Sequence, residues 1–224
     1  MLAVLVALGN WQHDRLIWKR ELLAAIDARH DAPPVHIRSA RAFAALTRAT
    51  HDYHPVVLYG AFDTAHRFFY FAQIANAPDA LPARDRVGYH VLTPFVLTDG
   101  AALLVDRGFV PARLKHSAAA PASGAVRAVL RWPSPRRWYD AADRPEIGEF
   151  YVRDPQIIGA AAGYDMPPFL ADLAESGTGW PRGGQTRFTL SNRHLEYMLT
   201  WYGLAAVLVF ISGLWHMRAA RKKD

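Results

Sequence analysis

A chain of 224 residues, 51% hydrophobic and 21% charged, leaves, once a membrane span at its end is set aside, the length for one medium-sized domain with its own core, and a second domain is not expected. The formal charge of +6 does not mark a nucleic-acid partner: residues 218–224 set Arg218, Arg221, Lys222 and Lys223 against Asp224, which is +3 of it, and no RNA-binding or helix-turn-helix signature accompanies the rest. With no cysteine, the chain excludes disulfides, cysteine-ligated zinc, thiolate copper sites and its own covalent c-type haem attachment.

Residues Met1 to Asn10, MLAVLVALGN, are apolar and uncharged, and as a helix reach only about 15 Å, half a bilayer. A signal-peptide core lacks its basic flank and small-residue cleavage site here. A buried core helix is a second reading. We take the third, in which residues 1–10 are the C-terminal half of a first transmembrane helix whose upstream half is missing. From Trp11 the spacing is helical, with Trp11, Trp18, Leu22 and Ile26 at intervals of seven, four and four, until Pro33 and Pro34 stop it.

Ser39 to Leu46 predicts a short helix, and the β-branched and aromatic runs Val56 to Phe62 and Phe68 to Ile74 predict strands. Tyr89 to Pro111 reads as a hairpin, with a type I′ turn at Asp99-Gly100 and a second strand over Ala102 to Val105. Ala118 to Gly124 reads as a surface loop, and Val126 to Trp132 as a strand stopped by Pro133 and Pro135. Arg136 to Asp154 carries too many charges for a buried element and is expected as loop with a short strand at Phe150 to Val152. Loops should dominate Gly159 to Gly184, and Thr186 to Leu190 should be a last strand.

The chain closes on Tyr197 to Met217, twenty-one residues without Lys, Arg, Asp or Glu, roughly 31 Å long as a helix and enough to cross a bilayer. Tyr197, Trp201 and Tyr202 mark one interface and Trp215 the other, and the basic run after it places the tail in the cytoplasm. The pattern as a whole predicts an α+β membrane protein, with a mainly antiparallel β extramembrane domain (residues 11–196) flanked by two transmembrane helices (1–10, truncated, and 197–217) and followed by a basic tail (218–224).

Phosphate-binding glycine loops, a GxSxG nucleophile elbow and an HExxH zinc helix are absent, which weakens enzymatic readings. His51 and His54 have metal-like spacing but sit in a polar turn without further ligands nearby. Asp140, Asp143 and Glu146 read as loop charges paired with Arg136, Arg137 or Arg144. His194 stands three residues before the span. That is compatible with a plain interfacial residue, yet neutral imidazole is also an axial ligand for haem iron, and a membrane edge suits an amphiphilic haem. Arg193 beside it either snorkels to the interface or meets propionates.

Four blocks carry a resemblance. LGNWQHDRLIWKRELL (Leu8 to Leu23), GYHVLTPF with LLVDRGFVP (Gly88 to Phe95, Leu103 to Pro111), EFYVRD (Glu149 to Asp154) and SNRHLEYMLTWYGLA (Ser191 to Ala205) occur in the order seen in the surfeit locus protein 1 family, over nearly the whole chain. The resemblance implies two membrane helices around a domain outside the cytoplasm and a part in cytochrome c oxidase assembly. Bacterial members look like binders of haem a. It puts the family's haem-linked histidine on His194 and its tryptophan and glutamine on Trp11 and Gln12; Arg193 and Trp201 complete the candidate cofactor-binding set. Arg193 and Glu196 depart from the asparagine and glutamine common in relatives, and Phe109 stands where tryptophan is common. The implied protein is not an enzyme. It would sit in a bacterial inner membrane with its central domain in the periplasm, and carry haem a as cargo, with the oxidase catalytic subunit, haem a synthase and the lipid bilayer as partners. A structural chaperone of oxidase subunits that never touches haem is the alternative, and a membrane-tethered periplasmic enzyme a third.

Overall fold

A computed structural model describes residues 1–73, 82–117, 124–174, 179–184 and 193–220. The chain divides into two compact units, one of residues 1–28 with those from 188 onward, the other of residues 29–187.

The first unit is helical. Helix α1, Leu2–His30, runs unbroken through the apolar opening and the amphipathic stretch after it, and it stops just ahead of Pro33 and Pro34. The C-terminal helix α4, His194–Ala220, begins earlier than the apolar run predicts, so His194 is its first residue rather than a residue ahead of it. Among the described residues, His194–Arg218 is the one segment long and apolar enough to cross a membrane. Its side chains are almost entirely exposed, among them Leu199, Val207, Phe210 and Ile211. An apolar surface of that extent is what a bilayer covers.

Among its described residues the second unit is a β structure of eight strands: β1 Val35–Ile37, β2 Pro55–Phe62, β3 Phe68–Gln73, β4 Val87–Leu97, β5 Ala102–Pro111, β6 Gly124–Arg131, β7 Glu149–Phe150 and β8 Leu170–Leu173. The sheet order is β1-β2-β6-β8-β5-β4-β3-β7, and β2 also pairs with β4, so β2, β6, β8, β5 and β4 close into a barrel. Short helices α2 (Arg48–His51) and α3 (Pro155–Ala161) decorate it. Asp154 caps α3, accepting from the N–H groups of Gln156 and Ile157 at 2.9 and 3.3 Å.

Strand β5 explains the core. All ten of its residues are buried because both faces are covered: Leu103 and Val105 join Leu58, Phe95 and Leu130 in one cluster, and Ala102 and Leu104 join Phe150, Ile158 and Met166 in another. A strand buried on both faces loses polar alternation and reads as a continuous apolar run.

The structure corrects several local expectations. Chain reversal after β4 uses a three-residue loop, not a two-residue type I′ turn. Gly100 N–H donates to Leu97 C=O at 3.0 Å and only Gly100, at φ 86°, is left-handed. Asp99 is occupied as an acceptor, taking the N–H groups of Ala101 at 3.2 Å and Ala40 at 2.7 Å. Strand β5 continues past Val105 to Pro111, through Asp106 and Arg107. The short helix expected over Ser39 to Leu46 is present, as the 3-10 helix Ala40–Ala45. The expected strand at Phe150 to Val152 is Glu149–Phe150, paired parallel to β3. Within the glycine-rich stretch taken for loop, α3 precedes β8, which bridges β5 in parallel and β6 in antiparallel fashion. The pairs β1–β2, β3–β7 and β5–β8 are parallel within an otherwise antiparallel sheet. Ile74, residues 118–123 and the expected strand Thr186 to Leu190 lie outside the described residues.

Candidate functional site

In the helical unit, a glycine sets the approach of α1 to α4. A Cβ on Gly9 would stand 2.5 Å from the Tyr202 ring, so that ring packs directly on the α1 backbone. Its hydroxyl donates to Asn10 Oδ1 at 2.7 Å. Further along the same seam Gln12, only 9% exposed, meets the first residue of α4: Gln12 Oε1 lies 2.8 Å from His194 Nδ1. An amide oxygen can only accept, so Nδ1 is the donor in this bond, and whenever the ring is neutral the lone pair stands on Nε2. That is the arrangement of a neutral imidazole ready to bind a metal, with its other nitrogen held by a polar partner.

Two of the five candidate residues are thus joined across 182 positions of sequence. Trp11 is 53% exposed and makes no ring or hydrogen-bond contact with His194 among the described residues. Arg193 turns to Glu196, Nε to Oε2 at 3.1 Å, and lies over the Tyr197 ring at 6.0 Å. Trp201, half-buried, follows His194 by two helical turns on α4. Sequence reasoning used Tyr202 only as a belt aromatic and gave Asn10 no role. The signal for both was the Gly9-Asn10 pair in an otherwise apolar run.

The β unit holds a second polar centre. Asp106 on β5, 2% exposed at its side chain, accepts from His90 Nδ1 at 2.8 Å, Arg153 Nη1 at 2.8 Å and Gly108 N–H at 2.8 Å. Arg153 Nη1 also reaches Asp172 Oδ1 on β8 at 3.2 Å, and Arg131 on β6 lies 3.5 Å from both Asp172 and Asp52. Burial pushes the Asp106 carboxyl up, but His90, Arg153 and the Gly108 N–H outweigh it and hold it well below the usual range. Burial pushes Asp172 up, and the Asp106 charge adds to this against Arg153. The network ties β4, β5, β6 and β8 together, and in it His90 donates to the buried Asp106 as one arm of a structural clamp.

Surface histidines and loop acids serve local structure. His51 Nδ1 bonds Thr50 Oγ1 at 2.7 Å and His54 Nδ1 its neighbour's carbonyl at 2.9 Å. Arg136 pairs with Asp143 as expected, Asp140 accepts from the Arg137 N–H at 2.6 Å, and Arg144 goes to Glu149 at 2.6 Å instead of the loop acids. Among the described residues no group of three or more His, Asp or Glu gathers as for a metal ion.

Four carboxyls are held low by partners: Glu149 by Lys115, Asp63 by His66, Asp85 by Arg113, and Asp106 as above. A depressed folded pKa contributes stability that is complete above the unfolded value and lost as pH falls toward the folded one. Asp172 works in the opposite direction, relieved by a proton, but it is one against four. The urea midpoint of the β unit should therefore hold from neutrality to about pH 5 and decline below about 4.5. A midpoint unchanged or higher at pH 3.5 would contradict this account of the network.

Comparison with known proteins gives one family. A family model described as the SURF1 family matches residues 1–206. Surfeit locus protein 1 of Mus musculus is 33% identical over 235 residues, covering 98% of this chain and 74% of the mouse protein. The Homo sapiens protein of that name is 31% identical, over 91% of this chain and 71% of its own length. A SURF1-like protein of Monosiga brevicollis is 31% identical over 91% and 80%.

Proposed function

Because the chain belongs to the SURF1 family, we propose that it is a membrane-anchored assembly factor for a haem-copper cytochrome c oxidase, binding haem a and helping its insertion into the catalytic subunit. The single observation that carries the haem reading is the hydrogen bond from His194 Nδ1 to the buried Gln12, which leaves Nε2 as a donor at the end of an apolar helix. The donor set fits a haem: one neutral imidazole to the iron, an exposed guanidinium at Arg193 for a propionate, and the faces of Trp11 and Trp201 for a flat apolar ring. A cargo must leave again, and a single protein ligand at a lipid edge suits release better than an enclosed pocket.

In this reading α4 crosses a bacterial inner membrane with its basic end in the cytoplasm, and α1 enters the same bilayer with its apolar opening. The β unit then lies in the periplasm, where it meets the oxidase subunit and haem a synthase. It makes and breaks no covalent bond.

The test is the protein itself, purified in mild detergent from cells that make haem a, together with oxidase content in cells lacking the gene. We expect a haem a absorption band that survives washing, and a fall in assembled oxidase that the gene restores. Haem-free protein that still co-purifies with oxidase subunits would replace the carrier with a structural chaperone, and undiminished oxidase without the gene would overturn the assembly reading.

A further inference from the structure

The β unit contains a cavity of about 240 Å³ lined in part by Tyr70, Trp132, Pro133, Pro135, Arg137 and Arg153. Arg153 commits Nη1 to Asp106 and Asp172, and its Nε and Nη2 have no acceptor among the described residues. That Nε–Nη2 edge is the one Arg113 uses to grip both oxygens of Asp85, at 2.7 and 3.0 Å, and its parallel N–H groups match a carboxylate. The Tyr70 hydroxyl, in the same lining, has no hydrogen-bond partner among the described residues either. Arg137 contributes a further cation, with one nitrogen donating to Tyr139.

The rest of the lining decides what the carboxylate is attached to. Most of the exposed lining is polar, and Trp132, steadied by the Phe169 ring at 4.7 Å, adds with the two prolines a smaller apolar share. The volume lies below the roughly 300–1,000 Å³ of sites for drug-sized ligands, so it admits one ring or one residue. Arg131 and Arg153 are already shared with Asp52, Asp106 and Asp172, and Asp140 stands opposite Arg137 in the lining, so little free positive charge is left for a dianion such as phosphate.

We propose that this cavity is a binding site for a small, singly charged carboxylate, whether a free acid or the C-terminal residue of a polypeptide. Arg153 takes the two oxygens side-on, Tyr70 donates to one of them, and Trp132 with Pro133 and Pro135 borders the carbon that carries them. The site owes nothing to haem.

Isothermal titration of the full chain in detergent tests it, with benzoate, methyl benzoate, inorganic phosphate, and a peptide ending in phenylalanine as free acid or amide. Benzoate should bind saturably and at least about tenfold more tightly than its ester, because the ester cannot take the fork. Tyr70→Phe should weaken benzoate about three- to tenfold, and Arg153→Lys about tenfold or more since it keeps charge and loses the fork. Arg137→Gln, at an exposed position, should weaken it several-fold. Should Arg153→Lys fail to fold, Tyr70→Phe and Arg137→Gln carry the test alone. A free-acid peptide that outcompetes benzoate identifies a polypeptide terminus as the source, and one that does not identifies a free acid. No saturable binding, equal binding of the ester, phosphate binding as tight as benzoate, or benzoate affinity unmoved by the substitutions overturns the proposal.

Discussion

Arg153→Met should destabilise the β unit by about 3–5 kcal/mol, the range for removing one partner of a buried ion pair. The guanidinium stands between Asp106 and Asp172, whose side chains are 2% and 12% exposed, and methionine fills its volume without its charge. Two carboxylates would then face each other with only His90 and Arg131 to offset them. The effect should appear as a Tm lower by about 6–20 °C, taking 2–4 °C per kcal/mol for a chain of this size. Asp172→Asn in the Arg153→Met background should cost much less than in the parent, since the two changes remove the same attraction. A loss under about 1 kcal/mol for Arg153→Met would show that the network is not a clamp.

His194→Ala should remove haem a from the purified protein or change its ligation state, because alanine abolishes a coordinate bond outright. Two neighbouring substitutions should differ from it in kind. Arg193→Ala should leave the spectrum unchanged and weaken retention about ten- to a hundredfold, the worth of a charge-assisted hydrogen bond. Gln12→Leu should also weaken binding about ten- to a hundredfold, as loss of an outer partner does for a metal-bound histidine. Gln12→Leu has a signature without any haem: in the unloaded protein the ¹⁵N resonances of His194 should shift from the Nδ1–H tautomer to a mixture. Haem bound to His194→Ala with an unaltered spectrum would remove His194 as the ligand and turn attention to His13. An unaltered tautomer in Gln12→Leu would remove only the positioning role of Gln12.

Legibility in the sequence followed the range of the interaction. Asp99-Gly100 is a local signal, and it marked the hairpin correctly while missing the extra residue in its loop. The second half of β5 was not legible, because Asp106 and Arg107 look like the end of a strand unless their partners are known. Arg153 and Asp172 lie 47 and 66 positions from Asp106, and no periodicity announces a charge neutralised from that distance. Strand β8, LADL, was hidden for the same reason, its Asp172 reading as a loop residue among glycines and prolines. At the candidate site, the lipid-edge setting of His194 was visible in the apolar run after it. Its pairing with Gln12 was not, since two helices at opposite ends of a chain carry no common spacing. The family resemblance singled out both residues but not the bond between them.

Among the described residues the sheet ends on β1, three residues long, and β7, two residues long. Exposed strand edges recruit strands from other molecules, and a terminal strand this short offers too few free N–H and C=O groups to template one. In the assembly role proposed above, the protein would work among unassembled, partly folded subunits, chains with unpaired backbone. Five strands closed on themselves and two short terminal strands would, in that role, leave little edge for such clients to add to.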